Sequence, residues 1–138
     1  MDLKNELLLT LMARVDHSSE ATALRDVVIV WLALLGKFSP LIGPGSVQVL
    51  FRRTLDVNRA AFPWLPAISA NGAGDEQFGA FETILKTQPS DEMIRATRAL
   101  LGTFIDSMFS LIGTTLTAKF VSAAVGDKRD QKKVDRSI

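Results

Sequence analysis

The sequence predicts an all-α fold, a single-domain bundle of five or six helices, and three observations carry that prediction. Apolar residues recur at three- and four-residue steps through most of the 138-residue chain, the spacing that lines one face of an α-helix. Glycine and proline gather in two stretches, "SPLIGPGS" and "FPWLPAISANGAGD", which divide the helical patterns into arms. Only "VVIVW", Val27 to Trp31, reads equally well as a buried strand. No second strand candidate stands elsewhere to take its backbone hydrogen bonds.

The first element is set by Leu3, Leu7, Leu8, Leu11, Met12 and Val15, with Lys4, Glu6, Arg14 and Asp16 off that stripe. This is an amphipathic helix that covers something. Ser18 or Ser19 is placed to cap the next helix, and Glu20 suits its first turn. From Leu24 to Phe38 almost every residue is apolar. A helix apolar on all sides is surrounded by other elements, so this one is expected at the centre of the domain. "SPLIGPGS" makes a corner. A third helix follows from near Pro44 to before Pro63, with Val47, Leu50, Phe51, Leu55 and Phe62 on its apolar face. Asp75 to Lys86 reads as a short helix with Phe78, Phe81 and Leu85 inward, and Ser90, Asp91 and Glu92 signal the next start. The pattern from Met93 to Val125 is long for one helix in a small domain, and Gly113 is where it is expected to bend. The helical domain thus covers 1–125. Residues 126–138, "GDKRDQKKVDRSI", offer almost nothing to bury and are expected to form a disordered charged tail.

The corner is nearly written twice. "ALLGKFSPLIG" ends one arm and "ALLGTFIDSMFSLIG" ends another, each leading into a fresh amphipathic pattern. One reading is a helix, a glycine corner and a second helix, present as two pseudo-repeated units. The other is the ordinary composition of leucine-rich core helices. A phosphate loop is the weakest reading, because "GPGS" lacks both the Walker frame and a strand before it.

Composition excludes several function classes. Sixteen Lys and Arg against fifteen Asp and Glu leave a net charge of +1, no field for steering toward nucleic acid or an acidic membrane. The absence of cysteine removes disulfides, thiolate metal sites and a cysteine nucleophile. No secretory signal is read at the start of the chain, and a cytoplasmic protein is expected. Val27 to Gly36 is about half the roughly twenty residues that span a bilayer. Ala99 to Ala118 is long enough, but Asp106 near its middle would cost about 2.5–3.5 kcal/mol on insertion. Both are read as core helices.

The chemistry-bearing residues are sparse. His17 is the one histidine, too few ligands for a metal. Asp75/Glu76 and Asp91/Glu92 stand where helix starts favour acids. No catalytic residue, metal or cofactor is assigned. Asp106, in an uncharged stretch, should meet water or pair with an arginine. Arg52, Arg53 and Arg59 form a small basic patch that Asp56 partly neutralises. Trp64 in "FPWLP" has two equal readings, an exposed aromatic anchor of an interface and a lid that seals the helical core.

The marks "LIGPGSVQVLFRRTL", "FPWL" and "LLGTFIDSMFSLIGTTLTAKF" resemble a set of small, uncharacterised bacterial all-helical proteins, over about residues 30 to 122. The resemblance implies a bacterial helical domain and carries no function or site residue with it. The functional expectation therefore rests on a mean hydropathy of +0.20 without a catalytic set. It is a non-enzymatic interaction or regulatory module, a homo-oligomer or the ligand of a protein partner, with Trp64, Arg52, Arg53 and Arg59 as contact residues. The alternative is a small-molecule binding domain with an apolar pocket between the corners, oriented by Thr103, Asp106 or Ser110.

Overall fold

The computed structural model describes residues 2–66 and 74–137, the side chains of 74–77 and 126–137 excepted. It is an all-helical bundle of six helices: α1 (Leu3–Asp16), α2 (Ala23–Ile42), α3 (Pro44–Asn58), α4 (Gly74–Leu85), α5 (Ser90–Ile112) and α6 (Thr114–Ser137). No strand occurs among the described residues, and "VVIVW" lies inside α2.

Local chemistry explains most of the boundaries. The Asp2 carboxylate accepts from the Asn5 backbone N–H at 2.8 Å and caps α1. Pro44 stands in the first turn of α3, where its missing N–H costs nothing. Two expectations are corrected. α2 was expected to stop at Phe38, yet it runs through Pro40 to Ile42. Pro40 removes the bond to the Gly36 carbonyl, and both residues are exposed, so water can take the freed carbonyl. The N-cap of α2 is Thr22, not Ser18 or Ser19. Ser18 instead donates to the Asp26 carboxylate at 2.6 Å. At the other end, α6 continues as backbone helix from Thr114 to Ser137, through the region read as a disordered tail, and the side chains there lie outside the described residues.

The two glycine corners share one conformation. Gly43 has φ 92 and ψ 144, and Gly113 has φ 89 and ψ 165, a backbone that side chains rarely adopt. Each glycine N–H donates to the carbonyl four residues back, Ser39 at 2.8 Å and Phe109 at 3.0 Å. Each glycine carbonyl accepts from the first turn beyond, Val47 at 3.1 Å and Thr117 at 3.2 Å. One residue thereby ends a helix and begins the next.

The likeness extends well past the corner. Ala23, Val27, Val30, Trp31, Leu34 and Phe38 are buried on α2. The residues seventy positions on (113 − 43 = 70), Met93, Thr97, Leu100, Leu101, Phe104 and Met108, are buried on α5. Val47, Phe51 and Thr54 of α3 match buried Thr117, Val121 and Ala124 of α6 in the same way. Leu11 and Val15 of α1 likewise match buried Phe81 and Leu85 of α4. The chain is built as α1–α2–α3 followed by α4–α5–α6, in one helical design used twice. The halves interlock, because α2 packs on α6 while α5 packs on α3, and α2 meets α5 directly. The pairing is reciprocal for α2, α3, α5 and α6, whereas α1 packs on α5, α6 and α2 and α4 packs chiefly on α3.

Trp31 is the hub of the resulting core. It is fully buried, with the edges or faces of Phe51, Phe81 and Phe104 at ring separations of 5.3, 6.3 and 5.8 Å.

Candidate functional site

α3, α5 and the chain after α3 position the aromatic residue singled out in the sequence. The chain turns after Asn58, and "FPWLP" folds back onto the bundle. Trp64 is half-buried against the core, its ring 6.1 Å from Phe62. Its Nε1–H donates to Glu92 Oε2 at 3.0 Å, and Arg95 grips the other Glu92 oxygen at 2.6 Å. The Arg95 guanidinium also lies 5.4 Å from the centre of the Phe62 ring. The Trp64 hydrogen bond first, and Arg95 second, hold the Glu92 carboxyl below its ordinary range.

Arg59 belongs to the same clamp. It pairs with Asp56 at 2.6 Å and donates to the Pro66 carbonyl at 3.0 Å, fastening the start of the irregular segment to α3. Arg52 is half-buried and Arg53 exposed on the outer side of α3. The sequence alone could not show that Arg59 reaches backbone carbonyls, because a loop path is invisible in residue spacing.

Two of the three proposed pocket residues have partners on different helices. Thr103 accepts from Asn58 Nδ2 of α3 at 3.0 Å. Asp106 is exposed to water, as expected, and its charged partner is Lys4 of α1 at 2.8 Å, not an arginine. Ser110 is exposed near the corner. A groove of about 290 Å³ lies elsewhere, lined by Asn5, Leu8, Leu9, Met12 and Arg98, and holds none of these three. Arg98 itself is tied to Asp16 at 2.7 Å.

Two buried polar groups escaped the reading of the sequence. Asp26 is only 6% exposed, accepts from Ser18, and has Arg14 and Arg25 at 3.8 and 3.7 Å. It pins the α1–α2 connection. Trp31 Nε1 is buried and meets no hydrogen-bond acceptor among the described residues. His17 is exposed at the end of α1, with Nδ1 2.7 Å from the Ala13 carbonyl. Among the described residues no three His, Cys, Asp or Glu gather as metal ligands, and no helix is long and apolar enough to cross a membrane.

The surface feature that stands out is on α2. This helix was expected to be enclosed on all sides, and it is not. Leu32 is 54% exposed, diametrically opposite the buried face. Beside it Val28, Ile29 and Leu35 are half-buried and Gly36 is exposed. The matching face of α5 is covered. Gly102, the counterpart of Leu32, is buried, and a Cβ placed there would lie 3.6 Å from the Lys4 side chain. α1 supplies that cover, through Lys4 and Asp16. The signal was present in the sequence as a helix apolar all round. What it lacked was which side remained open. Compared with known protein families, curated proteins and solved structures, the chain matches none.

Proposed function

We propose that the chain is a non-enzymatic interaction module that acts by self-association or by docking to a protein partner. The observation that supports this reading is the uncharged outer face of α2, left open where its counterpart on α5 carries a helix. Exposed apolar surface of that kind is stabilised by a second macromolecule. Leu41 and Leu111, exposed at the two corners, add to the same surplus.

Light scattering over a concentration series, followed by native mass spectrometry of freshly purified protein, tests the proposal. A mass that rises to a defined oligomer is expected. A strict monomer that captures no partner through this face rejects the module, and a recurrent extra mass of small-molecule size would favour a bound ligand instead.

A further inference from the structure

Resting on the self-association reading, we infer that two copies of the chain pair through α2 in antiparallel fashion, Leu32 of each seated over Gly36 of the other. Leu32 and Gly36 lie one turn apart on the same outward face. The Leu32 side chain is 54% exposed, and a Cβ built on Gly36 would meet nothing within 4 Å among the described residues. A knob and a hole on one face complement each other when the face is turned upon itself. A two-fold axis perpendicular to the helices, at the level of residue 34, brings residue 32 opposite 36 and 36 opposite 32. A parallel pair would instead set leucine against leucine and glycine against glycine, crowding one level and leaving a void at the next.

Charge does not oppose that orientation. From Val27 to Gly36 no residue is ionisable, so the face brings no like charges together. The same axis carries Arg25, two turns before Leu32, to the level of residue 43 in the second copy, the carbonyl end of its α2. That end has no basic residue of its own in the last turn, and Arg25 is largely exposed. Arg25 there meets the shared end of α2 and α3, where the carbonyl end of one helix and the N–H end of the next offset each other. The internal repeat shows that a helix can sit on such a face, since α1 covers the corresponding surface of α5. The second copy's α2 would take on α2 the place that α1 takes on α5.

The full chain, free of cysteine, suits a cross-linking test. Leu32→Cys and Gly36→Cys chains are mixed in equal amounts and oxidised, and light scattering is run on the wild type and on Leu32→Glu. The mixed 32–36 disulfide should exceed 32–32 and 36–36 well beyond the roughly twofold excess that random pairing of equal amounts gives, because its Cα atoms approach the roughly 5.5–6 Å of a disulfide. Leu32→Glu should be a monomer with the helical signal and thermal midpoint of the wild type. If Leu32→Glu loses its helix, the cross-linking pattern decides alone. A dimer with 32–32 cross-links in excess, or one that survives Leu32→Glu folded, overturns the pairing while leaving self-association standing. A wild type that stays monomeric at every concentration overturns both, and binding of that monomer to lipid vesicles, lost in Leu32→Glu, would assign the face to a membrane surface.

Discussion

Trp31 shows how a single side chain can stabilise a core while carrying a penalty of its own. Its ring fills the space between α2, α3, α4 and α5, yet its N–H is buried without an acceptor among the described residues. Trp31→Ala should cost about 3–5 kcal/mol, the usual range for deleting a large buried ring. Trp31→Phe should cost much less, since the lost area is offset by removing an orphan donor whose burial costs about 1–3 kcal/mol. Denaturant titration of the two variants checks the order, and equal losses would show that the N–H carries no penalty. Trp64 works differently. Its hydrogen bond stabilises the ionised form of Glu92, so Glu92 titrates below its ordinary value of 4.5. A lowered carboxylate contributes stability that is present above pH 4.5 and is lost as pH falls through the lower folded value. Following Glu92 by NMR, we expect Trp64→Phe to raise its titration point toward 4.5, and the acid loss of stability to be shallower in Glu92→Gln than in the wild type. A titration point unmoved by Trp64→Phe would leave Arg95 as the sole cause.

At the scale of elements, the corners matter more than the helices they join. Gly43 and Gly113 hold φ near +90, and a Cβ at either would meet open space. The penalty of substitution is therefore conformational and not steric against neighbours. Gly43→Ala and Gly113→Ala should each cost about 1–3 kcal/mol, the strain of a backbone region open essentially to glycine alone. Gly45→Ala, in the first turn of α3 with equally open surroundings, should be neutral or slightly stabilising. Thermal unfolding of the three variants tests the contrast. Similar losses at 43 and 113 are expected because the two corners make the same pair of backbone bonds, and a loss at only one would show that they are not mechanically equivalent.

For the whole molecule, the interlock of the two halves sets the folding behaviour. α2 buries its inner face against α6 and α5, and α3 packs on α5, so neither three-helix half holds its own core. A fragment of residues 1–66 should show little helix by far-UV circular dichroism alone and recover it on mixing with a fragment of residues 67–138. The intact chain should unfold in one cooperative step. A first half that is fully helical and resists heating by itself would show that each repeat is an independent domain.

The sequence by itself determined the helices. Periodicity, the paired "LIG" triplets and the proline and glycine stretches are local, and they act through backbone geometry and one helix face at a time, so α1, α3, α5 and both corners are legible residue by residue. It also marked α2 as apolar on every side. The tertiary structure alone decided which of those sides stays open, because coverage depends on where α1 and α4 land, and that follows from contacts between residues far apart in the chain. For the same reason spacing could not show that Trp64 reaches Glu92, that Asp106 meets Lys4, or that Arg59 holds the Pro66 carbonyl. The repeat itself lies between the two levels. Few identities survive at an offset of seventy, whereas the buried positions coincide almost throughout, since packing selects for size and apolarity at a position and not for one particular side chain.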